Sequence, residues 1–169
     1  LVSHEKNVEI FNKLRPGSTP GLAAGGYGIR IDFPSDDKYR TFWHQDFPAQ
    51  LRSPDGVVFW TPLLPVTPEM GPVKLCIGSH ADGIVPVVND DGGACKTGAY
   101  ALRLHDEENR LSRYNQTAPL SKPGDLILMD FLTLHQSGIN RSVYPRWSIQ
   151  FRWFNYEHPV GRRIAWVGS

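Results

Sequence analysis

The stretch that decides the fold is Leu134–Phe154, which reads LHQSGINRSVYPRWSIQFRWF. From residue 146 onward, polar residues alternate with aromatic or aliphatic ones, and successive side chains of a strand point to opposite faces. One face carries Arg146, Ser148, Gln150 and Arg152, and the other carries Trp147, Ile149, Phe151 and Trp153. The apolar face should pack on a core, and the polar face must face water or a pocket.

Length and composition limit the function classes. At 169 residues the chain is long enough to bury a core without disulfide or metal staples, and we interpret residues 1–169 as a single domain. The formal net charge of +1 argues against binding a polyanion, so no nucleic-acid partner is expected. No apolar run approaches the ~20 residues that span a membrane, and no signal-peptide pattern precedes the domain. We therefore expect a cytoplasmic protein without membrane contact.

Hydrophobic patterning elsewhere indicates short strands joined by turns. Residues 3–14 have apolar side chains at helical spacing and predict a helix that Pro16-Gly17 closes. Strands are predicted at residues 28–33, 41–47, 56–66, 72–77, 117–120, 125–131, 132–137 and 146–156. The least regular part is 81–116, in which 104–113 is a candidate helix. About eight strands without helical crossovers predict a mainly β protein, either an antiparallel sandwich or a jelly roll.

Two neighbouring segments near the N-terminus, Gly21–Gly28 and the strand predicted at 28–33, are interpreted from the spacing of their residues. Gly21–Gly28 is rich in glycine but lacks the GxGxxG spacing, so we interpret it as a flexible loop that enters a strand. In the strand that follows, Ile29, Ile31 and Phe33 alternate with Arg30 and Asp32. This alternation predicts a half-buried strand.

The triplet His44-Gln45-Asp46 is the first indication of chemistry. On an extended segment, positions i and i+2 project to the same side, so the imidazole and the carboxylate are aimed at one point. One histidine from a distant strand would complete the 2-His-1-carboxylate face that suits non-haem Fe(II) and leaves positions open for substrate and oxygen. A lone HxD triplet is also a common turn or surface feature, so the third ligand decides the interpretation.

His135 is the preferred third ligand, because it lies in a strand next to the arginine-bearing one. His80 competes, but it follows a strand in what reads as a turn. The other histidines lie in the terminal helix or in polar surroundings: His4, His105 and His158. The sequence therefore predicts a catalytic metal centre made of His44, Asp46 and His135.

The combined pattern resembles the Fe(II)/2-oxoglutarate oxygenases of the phytanoyl-CoA dioxygenase family. The matching motifs are Trp43–Asp46 (WHQD), Phe59–Thr61 (FWT), Met70–Pro72 (MGP), Ile77–His80 (IGSH), Lys122–Asp125 (KPGD) and Leu134–Gly138 (LHQSG), followed by Arg146. They span roughly residues 28–155. The resemblance implies a double-stranded β-helix (jelly roll, cupin-like) with few helices, Fe(II) as the cofactor, and 2-oxoglutarate and O2 as cosubstrates. In such a barrel, Arg146 and Ser148 should point inward, while Trp147 and Ile149 pack against its outer layer.

The resemblance also implies roles for three residues outside the metal centre. Arg146 would bind the far carboxylate of 2-oxoglutarate through its planar, two-pronged guanidinium; the alternative is a surface ion pair. Ser137, on the same strand face as His135, would donate a hydrogen bond to that carboxylate, although Ser-Gly also makes a good turn. Trp60 would form an aromatic wall beside the cosubstrate, or it is a plain core residue.

The implied activity is hydroxylation of an unactivated C–H bond of a small-molecule substrate, with release of succinate and CO2. The carboxylate of Asp46 favours this outcome, since related halogenases carry a small residue at this position; desaturation and ring formation are alternative outcomes. A competing interpretation is a jelly-roll, cupin-like module that binds a metal or ligand without turnover. An oxygenase acting on macromolecules is disfavoured by the modest net charge.

Two parts of the chain depart from the family pattern. The N-terminal helical region expected of that family is mostly absent, and 81–116 carries no family motif, which leaves the substrate unspecified. Gln45 is a possible substrate-side residue. Arg152 could line the pocket mouth or be solvated, and Gly161-Arg162-Arg163 could contact an anionic substrate.

Overall fold

A computed structural model describes residues 1–36, 40–49, 53–89 and 102–160. Its strands are β1 (Pro20–Leu22), β2 (Gly28–Asp32), β3 (Gly56–Pro62), β4 (Val73–Cys76), β5 (Val87–Asn89), β6 (Leu102–Leu104), β7 (Gln116–Thr117), β8 (Ile127–Asp130), β9 (His135–Ser137) and β10 (Arg146–Asn155). Its helices are α1 (Glu5–Leu14), the short turn α2 (Asp46–Ala49) and α3 (Glu107–Leu111). Short 3-10 turns cover Pro68–Met70 and Ser79–Asp82.

Two antiparallel sheets enclose the core. The larger sheet has the order β1-β10-β3-β8, with β2 also paired to β10, and the smaller sheet has the order β7-β4-β9. A core cluster draws Val58, Trp60 and Met129 from the larger sheet and Val73 and Leu75 from the smaller one, so the two sheets face each other. The mainly β, jelly-roll prediction is confirmed.

The alternation of β10 organises both sides of the larger sheet. Arg146 and Ser148 are buried on the inner face, as predicted. Phe151 and Trp153 lie in an outer cluster that also contains Phe11 of α1, so this helix covers part of the outer face. Ile149 packs partly buried against the same cluster. The predicted helix is confirmed, and its amphipathic spacing explains why it docks there.

Strand β2 is present and half-buried, as predicted, but its polar side rather than its apolar side faces the interior. The side chain of Ile29 is 62% exposed and that of Phe33 is 55% exposed, whereas Arg30 and Asp32 are largely buried. The register explains this orientation, because Asp32 lies directly opposite Arg146 and opposite residues share a face. The inward position of Arg146 therefore turns the polar side of β2 inward.

The glycine-rich segment Gly21–Gly28 begins in β1 and continues as a loop that enters β2. Directly after β1, the amide of Ala23 donates a hydrogen bond to the carbonyl of Arg152. The amide of Gly26 then donates to the carbonyl of Ala23, which closes a tight turn that leads into β2. This turn lies against the side chain of Arg152, 3.4 Å from where a Cβ on Gly26 would stand.

Two glycines allow the smaller sheet to form. A Cβ on Gly138 would lie 2.7 Å from the carbonyl carbon of Gly71, and a Cβ on Gly71 would lie 2.4 Å from the carbonyl oxygen of Ile139. Gly71 also has a φ of +68°, a conformation that side chains disfavour. The glycines of the MGP and LHQSG motifs thus permit the close backbone approach that holds β9 beside β4.

The irregular region partly resolves into structure. β5 pairs with β6, the candidate helix is α3, and Leu104 and Leu111 pack in a cluster with Trp43. The segment predicted as a short strand or extended piece at 41–47 is joined to β9 by a single bridge between His44 and His135, and α2 begins at Asp46. Residues 90–101 and the candidate Gly161-Arg162-Arg163 contact lie outside the described residues. Among the helices that are described, none has the length and apolar character to cross a membrane.

Candidate metal centre

Two backbone hydrogen bonds bring His44 and His135 together. The amide of His44 donates to the carbonyl of His135 at 3.0 Å, and the amide of His135 donates to the carbonyl of His44 at 3.1 Å. Because directly opposed residues of an antiparallel pair share a face, both imidazoles point the same way. Their ring centroids lie 4.2 Å apart.

The backbone also determines which ring nitrogens are available. His44 Nδ1 lies 2.7 Å from the carbonyl oxygen of Phe42, and His135 Nδ1 lies 2.9 Å from that of Thr133. A carbonyl oxygen can only accept a hydrogen bond, so each Nδ1 carries a hydrogen and donates it. In the neutral rings each Nε2 therefore keeps its lone pair, which is the usual arrangement of a metal-binding histidine.

The carboxylate of Asp46 completes a three-residue face. Its Oδ1 lies 3.6 Å from His44 Nε2 and 3.7 Å from His135 Nε2, too far for hydrogen bonds, and it has no partner among the described residues. One ligand atom from each residue lies within 4.8 Å of the others. A buried carboxylate oxygen without a donor is costly unless something satisfies it. A divalent cation fits this site, since two imidazoles and a carboxylate are suitable ligands for Fe(II).

Local electrostatics keep these groups in the form that a metal requires. Burial and the neighbouring His44 lower the pKa of His135 to about 4, so that its imidazole is neutral at neutral pH. Burial alone would raise the pKa of Asp46, but Arg152 and the two histidines outweigh it and hold that pKa well below its usual range. Both groups are therefore deprotonated and available as ligands.

Arg146 is an interior cation. It is 1% exposed, its Nη2 donates to Asp32 Oδ2 at 2.7 Å, and its Nε lies 3.3 Å from the same oxygen. Burial opposes the charge of Asp32, but Arg146 and Arg30 outweigh burial and lower the pKa of this carboxyl. The Nη1 of Arg146 is buried and has no partner among the described residues. A surface ion pair is therefore excluded, and one edge of the guanidinium is left for an anion.

Two serines lie on the inner faces of the two sheets. Ser137, the residue predicted to contact the cosubstrate, is buried, and its Oγ lies 3.0 Å from Thr41 Oγ1. Ser148 is also fully buried, but its Oγ has no partner in the described part of the chain. Ser148 follows Arg146 by two residues on the same face of β10, so its hydroxyl is a second candidate for the role predicted for Ser137.

Trp60 lies on the inner face of β3, opposite Gln150 of β10. It is buried in the core cluster with Val58 and Met129. Its position is therefore compatible with both expectations, an aromatic wall and a core residue.

The sequence interpretation named Arg152 and Gln45 but missed the contacts that these two side chains make. Arg152 is buried, and its Nε donates to Asp46 Oδ2 at 2.5 Å. Gln45 does not reach a substrate side, because its amide donates to the carbonyls of Gly83 and Leu132 and accepts from the amide of Val85. The alternation of β10 places Arg152 on the face of Arg146, which was a usable signal, whereas nothing local predicts the contacts of Gln45.

Solved structures with the same fold include three that are complexes with 2-oxoglutarate (α-ketoglutarate). The epimerase SnoN, in complex with Fe3+, α-ketoglutarate and nogalamycin RO, is 18% identical with a TM-score of 0.68, over 91% of this chain and 57% of SnoN. EvdO2 from Micromonospora carbonacea var. aurantiaca, complexed with 2-oxoglutarate, is 21% identical with a TM-score of 0.64, over 89% of this chain and 59% of EvdO2. EctD from S. alaskensis, with 2-oxoglutarate and 5-hydroxyectoine, is 19% identical with a TM-score of 0.59, over 82% of this chain and 45% of EctD.

These likenesses establish the fold, and the chain spans about half the length of the structures that it resembles. Comparison with curated protein sequences gave no match. The family model for phytanoyl-CoA dioxygenase (PhyH) matches residues 35–148, which include His44, Asp46, His135 and Arg146. Because that match covers more than half of its length, the chain belongs to the phytanoyl-CoA dioxygenase family.

Proposed function

We propose that this chain is a non-haem Fe(II)- and 2-oxoglutarate-dependent oxygenase that hydroxylates an unactivated C–H bond of a small molecule. One O2 and one 2-oxoglutarate are consumed for each C–H converted to C–OH, and succinate and CO2 are released. The bound Fe(II), with 2-oxoglutarate and O2, supplies the oxidant for this reaction class.

The observation that carries this proposal is the geometry of the three-residue face. His44 and His135 are set by their Nδ1 hydrogen bonds to offer Nε2, and Asp46 Oδ1 faces both of them without a donor of its own. This donor set matches a facial Fe(II) site with open positions. Membership of the phytanoyl-CoA dioxygenase family supports the same assignment.

The other inward-facing residues bind and orient the cosubstrate. Arg146 offers its unpartnered Nη1 to the far carboxylate of 2-oxoglutarate, while Asp32 holds the opposite edge of the guanidinium. A hydroxyl from Ser148 or Ser137 donates to that carboxylate. Trp60 forms part of the apolar wall that excludes water, together with the core residues around it.

Hydroxylation is the outcome that the ligand set favours, since Asp46 occupies the position that a halide would need. SnoN is an epimerase, so the same fold also serves another outcome in that protein. The alternative, a jelly-roll module that binds a metal or ligand without turnover, leaves the spacing of Arg146 from His135 as a coincidence.

Succinate formation tests the proposal directly. Metal-free protein is supplied with Fe(II), ascorbate and 2-oxoglutarate in air, and succinate is measured with and without candidate small molecules. We expect slow succinate release without substrate and faster release with a suitable one. Incorporation of label from 18O2 into the product would distinguish hydroxylation from epimerisation.

Matched variants assign the activity to this site. His135→Ala and Asp46→Ala should abolish succinate formation, whereas His80→Ala, which removes an exposed histidine outside the three-residue face, should retain it. Absence of both turnover and 2-oxoglutarate binding in the wild type would favour the binding module. Unchanged turnover in Asp46→Ala would remove Asp46 from the metal.

A further inference from the structure

Arg152 contacts the carboxylate of Asp46 at Oδ2, while Oδ1 faces the two histidines. It is 4% exposed on the inner face of β10, and its Nε donates to Asp46 Oδ2 at 2.5 Å. Its other two nitrogens are also engaged, Nη1 with the carbonyl of Gly26 at 3.0 Å and Nη2 with Gln150 Oε1 at 3.2 Å. The guanidinium is therefore fixed in place by three separate segments of the chain.

Because of this contact, the two oxygens of the Asp46 carboxylate have different surroundings. Oδ2 is occupied by Arg152, whereas Oδ1 faces His44 Nε2 and His135 Nε2 and has no donor among the described residues. An aspartate can coordinate a metal through one oxygen or through both. With Oδ2 hydrogen-bonded to a buried cation, only Oδ1 is free to coordinate.

We propose that Arg152 is a positioning residue that restricts Asp46 to a single metal-binding oxygen, an inference that rests on the function proposed above. Two histidines and one carboxylate oxygen leave open positions for the cosubstrate and O2. A second oxygen from Asp46 would take one of these positions. Arg152 thereby keeps the coordination sphere open, and it raises metal affinity by holding Oδ1 in place.

The contact differs from an ordinary structural ion pair. Arg15 also engages carboxylates, those of Asp55 and Asp130, together with the carbonyl of Gly56. Both partners of Arg15–Asp55 are partly exposed, and neither belongs to the three-residue face. Arg15 therefore provides a matched control, an arginine with comparable partners but without contact to a metal-binding residue.

Co(II) titration without 2-oxoglutarate tests the inference independently of turnover. The visible absorption of bound Co(II) reports both affinity and coordination number. For Arg152→Leu we expect about a 10–100-fold weaker Co(II) Kd, the usual cost of removing a partner of a metal ligand, and a spectrum shifted toward higher coordination. Arg152→Lys should recover much of the affinity, because its ammonium can still donate to Oδ2. Arg15→Leu should keep the wild-type Kd and spectrum.

A second comparison keeps the test decisive if Arg152→Leu folds poorly. In the Asp46→Ala background the Arg152→Leu change should leave the Co(II) Kd unaltered, and the double variant should fold because it removes both members of the buried pair. An equal loss of affinity in both backgrounds would overturn the inference. So would a folded Arg152→Leu variant with wild-type Kd and spectrum, or a folded Arg152→Lys variant no better than Arg152→Leu.

Failure of the proposed function would give a different result from failure of the inference about Arg152. If wild-type protein bound no Co(II), or if His135→Ala bound it as tightly as wild type, the metal centre itself would be wrong. If wild type bound Co(II) through His135 while the Arg152 variants matched it, only the positioning role would be lost.

Discussion

Arg146 and Asp32 face each other across β10 and β2, with Arg146 Nη2 2.7 Å from Asp32 Oδ2. This buried pair mirrors the pair of Arg152 and Asp46 on the same face of β10. Within the described part of the chain, the atom left without a partner is a guanidinium nitrogen in the first pair and a carboxylate oxygen in the second. One pair can thus accept an anion and the other a cation, which is the combination needed to hold 2-oxoglutarate at a metal.

Removal of Arg146 should impair cosubstrate binding more than chemistry. In Arg146→Ala we expect the KM for 2-oxoglutarate to rise, because the variant loses a buried charge-assisted pair, which costs about 2–5 kcal/mol of binding free energy. The change in kcat should be smaller. Steady-state succinate assays measure both parameters. Arg30→Ala, which removes the other arginine on Asp32, is the control and should change KM far less. A normal cosubstrate response in Arg146→Ala would show that another cation does this job.

The two candidate hydroxyls can be separated by paired alanine variants. Ser148 Oγ has no partner among the residues that the structure describes, whereas Ser137 Oγ already lies beside Thr41 Oγ1. We therefore expect Ser148→Ala to weaken 2-oxoglutarate binding by about 1 kcal/mol, the usual value of a hydrogen bond, and Ser137→Ala to have less effect. Calorimetry with Mn(II)-loaded protein measures both. The reverse order would assign the contact to Ser137, as the sequence predicted.

The Asp32 ion pair should contribute stability that depends on pH. Since the pKa of Asp32 is lowered from 3.8 in the folded protein, its contribution is present above that pH and is lost as the pH falls below it. Asp32→Asn should cost about 1.5–3 kcal/mol at pH 6, the range for hydrogen bonds to charged groups, and less at pH 3. Urea unfolding at both pH values measures the difference. A cost that is equal at pH 6 and pH 3 would refute the role of this carboxylate.

Gln45 should matter for stability although it touches no ligand. Gln45→Leu leaves the carbonyls of Gly83 and Leu132 and the amide of Val85 without their partner. We expect the free energy of unfolding to fall by about 3 kcal/mol or more, since three groups lose their partner and each buried unsatisfied group costs about 1–3 kcal/mol. Gln116→Leu, at an exposed glutamine, is the control and should stay within about 0.5 kcal/mol of wild type. Equal stability of Gln45→Leu and wild type would contradict this account.

Local sequence patterns predicted most of the strands and the inner face of β10, because period-two alternation is a property of neighbouring residues. The same patterns did not determine the orientation of β2, where the apolar residues Ile29 and Phe33 lie outside. Apolar character normally indicates the buried side, but here the register with Arg146 decided which side faces inward. Hydrophobicity alone could not show that this part of the interior is polar.

The sequence by itself determined the chemistry available to this protein: the spacing of His44 and Asp46, the later His135, and the inward alternation that begins at Arg146. Only the tertiary structure decided which residue holds the guanidinium of Arg146 and which holds the carboxylate of Asp46. Asp32 holds Arg146, and Arg152 holds Asp46, through contacts between residues 114 and 106 positions apart in the chain. Such contacts depend on strand register, and a slip of one residue would turn every one of these side chains to the opposite face.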